Sequence, residues 1–448
     1  MKRQSVGMIG LAVMGENLIR NIERHGYRSV VYNRTNSITE KFLKTYGPGN
    51  FVRADSLAEF VSLLEPPRIA LVMVKAGGAV DSVIDSLLPL LDQGDIIADL
   101  GNSYFTDTVR REVRCREKGI SFLGVGVSGG EEGALNGPSI MPGGEREAWK
   151  VVAPIFDDIS AKAPETCHAY IGPGASGHFV KMVHNGIEYA DMQLIAEAYQ
   201  LLAQGAGLKP EELGDVFSEW NSGVLSSFLI EITSKIFRVK DDRGNGFLVD
   251  HVLDKAAQKG TGKWTAQVAL DLGAAIPTIS AAVDARILSS LKDERTRASK
   301  SIALTPVVST KIDRKRFVDL VHDALYCSKI VSYAQGMAML QAASREYSWS
   351  LRMDEIASLW RGGCIIRAKF LSEIMRAYRS NPSLENLLLD SQIGDAVTSR
   401  ALNWRELVSF GIQAGIPMLG FSSALAYFDS YRQERLPQNL TQAQRDFF

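Results

Sequence analysis

Five polar side chains between Lys181 and Tyr189 are spaced so that they would share one face of a helix. Lys181, His184, Asn185, Glu188 and Tyr189 stand at positions i, i+3, i+4, i+7 and i+8, which is the spacing of a helix with 3.6 residues per turn. Lysine, histidine and glutamate on one cavity wall are groups that transfer protons in catalysis. The residues that follow are too apolar for a peripheral helix, so we expect this face to border a cavity. The alternative is a solvated amphipathic face.

The elements that would position this face begin with a glycine-rich turn near the N-terminus. An apolar segment, SVGMIG at residues 5–10, predicts a strand, and a helical segment follows the turn. The turn reads Gly10-Leu11-Ala12-Val13-Met14-Gly15. This is the dinucleotide-binding pattern G-x-G-x-x-G with alanine at the second glycine. Gly10 would make the tight turn and Ala12 would leave room for a pyrophosphate at the helix N-terminus, although such turns also occur without a ligand.

The next predicted strand, SVVYN, ends at Asn33, Arg34 and Thr35. Folds that bind NAD place an acidic residue about twenty residues beyond the glycines, on the ribose hydroxyls. This chain has an arginine and a threonine there, which can hold a 2′-phosphate through charge-assisted hydrogen bonds. The sequence therefore predicts NADP as the cofactor, and the alternative is an arginine in a solvated turn.

Further apolar runs predict strands that are covered on both faces of a parallel sheet. IALVMV at residues 69–74 runs into Lys75 and Ala76, and IIADL at residues 96–100 runs into Asn102. ISFLGVGV leads to Ser128-Gly129-Gly130, whose small residues could form an anion-binding nest or merely a turn. SIMPGG and HAYIG also read as strands.

The sequence changes character after about residue 176, where helical segments replace the strand pattern. The segment at residues 196–202 resembles residues 334–340, and matches further along keep offsets of 138 to 142 residues. We therefore predict an α/β plus all-α chain, an N-terminal Rossmann doubly wound sheet followed by a large duplicated helical domain. The predicted domains are residues 1–176, residues 177–433 and a tail segment at residues 434–448.

Two cationic positions in the helical part would suit a phosphate group. Lys259 and Thr261 stand in QKGTGKW, which is glycine-rich but lacks the spacing of a Walker P-loop. Arg286 stands among apolar neighbours, where an unpaired charge would be costly. A sugar phosphate would satisfy these groups, whereas the alternative for Arg286 is an ion pair within the helical bundle.

Composition excludes several classes of partner. The 448 residues contain 50 Lys and Arg against 51 Asp and Glu, so bulk charge does not favour nucleic acid or an anionic membrane. The four cysteines form no C-x-x-C pair, which argues against a zinc site or a disulfide framework. No apolar stretch is long enough to cross a bilayer, and the N-terminus lacks the pattern of a signal peptide. We therefore expect a cytoplasmic protein of two or more domains.

Taken together, these motifs resemble the 6-phosphogluconate dehydrogenase family over nearly the whole chain. The matching segments, in order, are GLAVMGENL, YNRT, MVKAGG, DLGNS, GVSGGEEGA, GPSIMPGG, GHFVKMVHNGIEY, QKGTGKW and QAQRDFF. The resemblance implies oxidative decarboxylation of 6-phospho-D-gluconate to D-ribulose 5-phosphate and CO2, with NADP reduced to NADPH, in the pentose phosphate pathway and without a metal. It also implies a homodimer in which the tail of each subunit reaches the partner's site.

The resemblance further implies a role for each matching residue. Lys181 would be the general base and Glu188 the acid. The substrate carboxylate and hydroxyls would be held by Asn102, Ser128, Gly129, Gly130, His184 and Asn185. The phosphate would be held by Tyr189, Lys259, Thr261, Arg286 and, from the other subunit, Arg445. The cofactor would be held by the turn from Gly10 to Gly15, by Asn33, Arg34 and Thr35, and by Val74, Lys75, Ala76 and Asn102.

The end of the sequence departs from the family pattern. Family members continue beyond the RDFF-like motif with a glycine and a histidine that contacts substrate, whereas this sequence ends at Phe448. The resemblance therefore predicts a shortened tail with weakened substrate binding. One alternative is a 3-hydroxyacid dehydrogenase of the wider superfamily, which would not need the phosphate ligands. Another is a cofactor-binding protein with little activity, retained as a dimer partner.

Overall fold

The computed structural model describes residues 5–47, 51–302 and 313–448. The chain forms two compact units, one of Met1–Asn185 with Met339–Glu385 and the other of Gly186–Ala338 with Asn386–Phe448. Two long helices contribute residues to both units. The domain division predicted from the sequence follows the order of the chain rather than these units, and it stays a prediction.

The first unit is built on a seven-stranded sheet with helices between its strands. The strands are β1 Val6–Ile9, β2 Ser29–Tyr32, β3 Phe51–Arg53, β4 Ile69–Val72, β5 Ile96–Asp99, β6 Ser121–Ser128 and β7 Ser139–Gly144. The helices are α1 Val13–Arg24, α2 Asn36–Tyr46, α3 Leu57–Ser62, α4 Gly78–Leu87, α5 Phe105–Arg116, α6 Gly130–Asn136 and α7 Arg146–Ile159. The strand order is β3-β2-β1-β4-β5-β6-β7, parallel from β3 to β6, with β7 antiparallel to β6.

Both faces of this sheet are covered, as the continuous apolar runs predict. Met8 packs in a buried cluster with Ile19 of α1, whereas its neighbour Ile9 packs in a second cluster with Ile84 of α4. Successive side chains of a strand point to opposite faces, so each buried strand serves two cores. The prediction of a doubly wound sheet is confirmed, and the point between β1 and β4, where the strand order reverses, is where such sheets bind ligands.

The strand predicted for HAYIG at residues 168–172 is wrong. This segment lies beside β7 but forms only isolated bridges, between Ile140 and His168 and between Gly143 and Gly172. Pro142 stands between those two points, and proline has no N–H to donate to a neighbouring strand. The ladder is interrupted at Pro142 for that reason. Strand β3 is an element that the sequence analysis did not predict.

The remaining part of the described chain is helical. Its helices are α8 Ser176–Gly205, α9 Pro210–Trp220, α10 Phe228–Ile236, α11 Leu248–His251, α12 Thr261–Asp271, α13 Pro277–Ser290, α14 Lys292–Ser301, α15 Arg314–Glu346, α16 Met353–Leu359, α17 Leu371–Ser380, a 3-10 turn Leu387–Leu389, α18 Ser391–Thr398, α19 Ala401–Ala414, α20 Leu419–Tyr431 and α21 Gln438–Phe447. Helices α8 and α15 pass from one unit to the other, and α16 and α17 belong to the first. None of the described helices has the length and apolarity needed to cross a membrane.

Matched contacts in the second unit support the predicted internal duplication. Glu197 of α8 and Gln335 of α15 stand 138 residues apart, and both are buried. The Glu197 carboxylate accepts a hydrogen bond of 2.8 Å from the Gly420 N–H in the first turn of α20. The Gln335 amide oxygen accepts one of 3.0 Å from the Thr278 N–H in the first turn of α13. Each long helix thus holds the N-terminus of a shorter helix from the other copy, as expected of a duplicated unit.

Candidate active site

The first turns of α8 lie directly on β6 and β7 because glycines remove the side chains between them. A Cβ atom at Gly126 of β6 would lie 2.5 Å from the Lys181 Cβ atom. A Cβ atom at Gly177 would lie 2.3 Å from the Gly124 carbonyl oxygen. No side chain fits in such contacts without a shift of the neighbouring backbone. The glycines therefore fix the depth at which Lys181 sits against the sheet.

A buried histidine holds the same end of α8 by its ring. The His178 Nε2–H donates to the Asp99 carbonyl oxygen over 3.0 Å, and the Thr108 hydroxyl donates to His178 Nδ1 over 2.7 Å. A carbonyl only accepts, so the proton resides on Nε2. Burial lowers the pKa of His178, and the ring is therefore neutral. This pair of bonds orients the turn that presents Lys181.

The predicted polar face is buried rather than solvated. Lys181 is 6%, His184 0%, Asn185 8% and Tyr189 6% exposed, and Glu188 is partly buried. All five lie on α8 at the predicted helical spacing. The alternative of a solvated amphipathic face is therefore wrong. Lys181 and Glu188 are two turns apart, about 10 Å along the axis at 1.5 Å per residue.

His184 is enclosed by protein groups on both ring nitrogens. Its Nδ1–H donates to the Asn185 side-chain oxygen over 3.0 Å. Its Nε2 lies 2.7 Å from Cys364 Sγ and 3.3 Å from the Ser128 hydroxyl, either of which can donate to it. Burial, and secondarily the electrostatic effect of the nearby Lys181, hold the pKa of His184 well below its usual range. A neutral His184 thus ties two predicted substrate ligands, Ser128 and Asn185, into one network.

The remaining predicted substrate ligands of the first unit lie at the carboxyl edge of the sheet. Gly129 and Gly130 follow β6 with φ angles of 129° and 63°, a region of backbone conformation that favours glycine. A side chain at Gly129 would also strike the Gly363 carbonyl oxygen, 2.8 Å from its Cβ position. Asn102 follows β5 at the same edge of the sheet, and its side chain is exposed.

The predicted cofactor turn has the geometry that a pyrophosphate requires. Gly10 has a φ of 100°, and a Cβ atom there would lie 2.4 Å from the Met73 carbonyl oxygen. A Cβ atom at Gly15 would lie 2.0 Å from the Gly10 carbonyl oxygen, so α1 packs on the turn without a gap. Ala12 is the exposed N-cap of α1 and its side chain caps no N–H group. The first N–H groups of this 12-residue helix are thus available to an anion, and the small side chain of Ala12 leaves room for it.

The loop after β2 offers the cation predicted for the 2′-phosphate. Arg34 is exposed and has no ion pair or hydrogen bond with any described residue. Thr35 is the N-cap of α2, yet its side chain caps no helix N–H. The Asn33 side-chain oxygen accepts the Leu11 N–H over 3.2 Å, which joins this loop to the glycine turn. The residues present therefore fit NADP.

Two neighbouring features complete the description of the cofactor side. A cavity of about 420 Å³ lies beside the glycine turn, between α1 and α2, and Leu11, Ala12, Val13 and Lys41 are among its lining residues. Met14 is partly buried and packs against the core of the sheet. The segment from Val74 to Ala76 follows β4, with the Lys75 side chain exposed.

In the second unit, Arg286 is held over a buried aromatic ring. Its guanidinium carbon lies 3.5 Å from the centroid of the Tyr189 ring. One Nη atom donates to the Ala257 carbonyl oxygen over 3.0 Å and the other lies 3.4 Å from Met192 Sδ. No ion pair joins Arg286 to a carboxylate among the described residues, so the alternative of an ion pair within the bundle is wrong. The stacked cation keeps its charge available for an anion.

The start of α12 lies against the same tyrosine. Gly260 is the N-cap with a φ of 100°, and the buried Thr261 opens the helix. A Cβ atom at Gly262 would lie 2.4 Å from a Tyr189 ring carbon. Lys259 is exposed and makes no hydrogen bond or ion pair with a described residue. Tyr189, Arg286, Thr261 and their flanking lysine therefore form one cationic cluster, here called the phosphate cluster, at a helix N-terminus.

The assignment of Arg445 to the substrate phosphate in the other subunit's site stays a prediction. Arg445 lies in the last turn of α21, and its exposed side chain makes no hydrogen bond or ion pair with a described residue. A separate cavity of about 630 Å³ lies farther along α8 in the second unit, where Gln193, Glu197, Asp254 and Arg295 are among its lining residues. It contains none of the predicted site residues.

Two residues near the site were missed by sequence reasoning. Cys364 is one of four cysteines that form no C-x-x-C pair, yet it contacts His184 from 180 positions away along the chain. Arg111 was not singled out, yet its side chain is only 1% exposed and bonds to loops beside Asn102 and Ala76. Neither belongs to a periodic pattern or a motif, so only the folded chain identifies them.

Comparison with known proteins gives one family for the whole chain. Residues 5–172 match the model of the NAD binding domain of 6-phosphogluconate dehydrogenase, and residues 177–448 match its C-terminal domain. A Synechococcus elongatus protein named 6-phosphogluconate dehydrogenase, decarboxylating, is 57% identical over 452 residues, covering 100% of this chain and 96% of that protein. A Bacillus subtilis protein named as the NADP(+)-dependent, decarboxylating enzyme is 54% identical with the same coverage.

A solved structure agrees with the sequence comparison. Plasmodium falciparum 6-phosphogluconate dehydrogenase, described in its apo form and in complex with NADP+ and with 6-phosphogluconate, superposes with a TM-score of 0.96 at 44% identity. The match covers 99% of this chain and 96% of that one. The chain therefore belongs to the 6-phosphogluconate dehydrogenase family.

Proposed function

We propose that the chain is an NADP-dependent oxidoreductase that decarboxylates 6-phospho-D-gluconate to D-ribulose 5-phosphate and CO2. The observation that carries this proposal is the position of Lys181. This buried lysine packs against Gly126 of a sheet of the dinucleotide-binding type, and the glycine turn of that sheet fits NADP. Few water molecules compete for the hydrogen bonds of a buried amine. This suits a group that must take a proton from a bound hydroxyl.

In the proposed reaction Lys181 acts first. Its neutral amine takes the proton of the substrate C3 hydroxyl while the C3 hydrogen leaves as hydride. NADP, when bound, supplies the acceptor for that hydride. The C3 ketone lies β to the carboxylate, so the electrons of the breaking C1–C2 bond move toward it as CO2 leaves. Glu188, partly buried two turns along α8, then gives a proton to the carbon that lost CO2.

The binding roles follow from the chemistry of the two clusters. We assign the substrate carboxylate and hydroxyls to the network around His184, through Ser128 and Asn185, together with Gly129, Gly130 and Asn102. We assign the phosphate to the phosphate cluster, because a phosphate dianion would pair with the otherwise uncompensated Arg286 and with Lys259. NADP is preferred over NAD because the exposed side chain of Arg34 has no partner among the described residues and can bind the 2′-phosphate. The loop also lacks the acidic residue that binds the ribose hydroxyls in folds that use NAD.

Replacing Lys181 with methionine tests the assignment of the base. Methionine keeps the length of the apolar stem but removes the amine, so turnover should fall below detection while NADP binds with a Kd near that of the wild type. Lys259→Met is the matched control, since it removes an exposed lysine from the phosphate cluster and should raise KM for 6-phosphogluconate with less effect on kcat. Measurable turnover by folded Lys181→Met protein would refute the role of Lys181.

We also propose that the protein acts as a homodimer. Helix α21 contains no buried residue, and its Leu440 and Phe447 side chains are 61% and 94% exposed. An amphipathic helix with an uncovered apolar side favours a partner surface, and Leu270 and Leu402 are similarly exposed at 83% and 80%. Sedimentation of the purified chain at twice the monomer mass of 49.1 kDa would support the dimer, and a monomer at assay concentration would contradict it.

Mixing two inactive variants tests whether Arg445 acts on the partner's substrate. In a mixed dimer of Lys181→Met and Arg445→Ala chains, one site regains both an intact lysine and an intact partner arginine. Random exchange through a two-fold interface should therefore restore about a quarter of wild-type activity at low substrate. No recovery after verified exchange would mean that Arg445 acts within its own subunit, and full activity of Arg445→Ala alone would mean that Arg445 has no role in the reaction.

We further propose a cytoplasmic location, a role in the pentose phosphate pathway, and functional domains at residues 1–176, 177–433 and 434–448. All four cysteines are buried and free of disulfides, which agrees with a reducing compartment. Helix α8 begins at Ser176, and the two family matches meet between residues 172 and 177. Fractionation of source cells would test the location, and retention of the chain in a membrane or secreted fraction would contradict it.

A further inference from the structure

A buried arginine in α5 joins two loops at the carboxyl edge of the sheet. The Arg111 side chain is 1% exposed. Its Nε–H and one Nη donate to the two carboxylate oxygens of Asp81 over 2.9 and 3.2 Å. The same Nη donates to the Gly77 carbonyl oxygen over 3.0 Å, and the other Nη donates to the Ser103 hydroxyl over 3.1 Å. All three guanidinium nitrogens of Arg111 thus donate hydrogen bonds, as is expected of a buried charge.

Two of these contacts, to Gly77 and to Ser103, end on loops that the proposed function uses. Gly77 directly follows Ala76 and caps α4 with a φ of 93°, so its carbonyl belongs to the loop after β4. Ser103 directly follows Asn102 in the loop after β5. The Ser103 hydroxyl donates to the Asp99 carboxylate over 2.6 Å, so the loop after β5 is held from both sides.

The rest of the network supports an ionised anchor for the arginine. Arg111, and less strongly the neighbouring Arg110, lower the pKa of Asp81 below its usual value. The second oxygen of Asp99 accepts the Gly101 N–H over 3.0 Å. Asp81 on α4 and Asp99 at the end of β5 both pair with the Arg111 guanidinium, Asp99 over 3.5 Å. The guanidinium, held from both sides, fixes the distance between the two loops.

The two loops belong to one half of the dinucleotide-binding sheet. β1 to β3 form the first half, which ends at the glycine turn and at Arg34, and β4 to β6 form the second half. In such sheets each half holds one nucleotide of the dinucleotide. We propose that Arg111 is a positioning residue that sets the loops after β4 and β5 at the spacing required to bind the nicotinamide half of NADP. This inference rests on the proposed use of NADP.

The neighbouring arginine provides a matched control. Arg110 also donates to Asp81, over 2.9 Å, but its side chain is 53% exposed and bonds to neither loop. Replacing Arg110 removes a similar charge and one bond to the same carboxylate while the loop contacts remain. Lysine at position 111 would keep the charge but has no planar fork to bridge Asp81, Gly77 and Ser103 at once.

The test compares two probes, NADP and 2′,5′-ADP, which carries only the adenosine half with its 2′-phosphate. Isothermal titration calorimetry would measure both on the full-length wild type, Arg111→Met, Arg111→Lys and Arg110→Met. We expect Arg111→Met to weaken NADP binding about 10- to 100-fold, the scale for loss of charge-assisted hydrogen bonds, while 2′,5′-ADP changes less than about twofold. Arg111→Lys should fall between, and Arg110→Met should bind both probes like the wild type.

Other outcomes would overturn the inference. Equal loss of both probes in Arg111→Met and Arg111→Lys would show a merely structural role, and unchanged NADP binding would show no role. If Arg111→Met failed to fold, Ser103→Ala would replace it, because that change releases only the loop after β5 and should also weaken NADP selectively. A wild type that bound neither probe would instead refute the proposed function, and this inference with it.

Discussion

Replacing Gly126 with alanine should impair catalysis although the change adds only a single methyl group. The new Cβ atom would lie 2.5 Å from the Lys181 Cβ atom, whereas carbon atoms in contact prefer about 3.5–4.0 Å. Relief of that overlap requires Lys181 or α8 to move by about 1 Å, and a misplacement of that size can lower the rate about 100-fold. Overpacking should also lower the free energy of unfolding by about 1–3 kcal/mol.

The assay for this prediction is NADPH formation at saturating substrates, with circular dichroism and thermal unfolding as the check on folding. We expect kcat to fall about 100-fold while the Kd for NADP stays within about twofold, because the glycine turn is not touched. Gly133→Ala is the matched control, since its Cβ atom would find its nearest contact at 3.8 Å and should leave kcat unchanged. A folded Gly126→Ala protein with kcat within about threefold of the wild type would refute the idea that this glycine seats Lys181.

Three further predictions concern the other clusters. Gly262→Ala would place a Cβ atom 2.4 Å from the Tyr189 ring, so it should raise KM for 6-phosphogluconate about tenfold or more although alanine favours helix; an unchanged KM would contradict the phosphate cluster. Arg34→Ala should lower kcat/KM for NADP about 100-fold with little effect for NAD, since a charge-assisted bond contributes about 1.5–3 kcal/mol; an equal fall for both cofactors would contradict the 2′-phosphate assignment. Burial raises the pKa of Glu197, so the folded state holds that proton more tightly than the unfolded state. Its contribution to stability is present below the ordinary carboxyl pKa and is lost as pH rises through the folded value; the stability of the wild type relative to Glu197→Gln should therefore fall with rising pH, and a pH-independent difference would contradict this.

The sequence was most informative where local chemistry and periodicity agree. The spacing from Lys181 to Tyr189 predicted one helical face, and that face lies on α8 and is buried. The apolar runs of β4 and β5 predicted strands with two covered faces, because strands within a parallel sheet have no solvated side. Gly10 and Gly15 were predicted from a motif, and both stand where a side chain would strike the backbone.

The sequence was least informative where a contact joins distant positions. Nothing local distinguishes Cys364 from the other buried thiols, yet it lies beside His184. The fork of Arg111 depends on loops that meet only in the folded sheet. HAYIG has the composition of a strand, and the interruption comes from Pro142 on its neighbour. Secondary-structure propensity depends on the residues of one segment, whereas each of these features depends on the distant residues that the segment contacts.

The most direct test of the proposed function is a progress curve for NADPH formation with purified protein and 6-phosphogluconate, with CO2 release measured in parallel. We expect NADPH and CO2 in equal amounts, a rate with NADP far above that with NAD, no rate with unphosphorylated gluconate at the same concentration, and no rate for Lys181→Met. NADPH formed without CO2, or equal rates with gluconate and its phosphate, would contradict a decarboxylating enzyme that recognises a sugar phosphate.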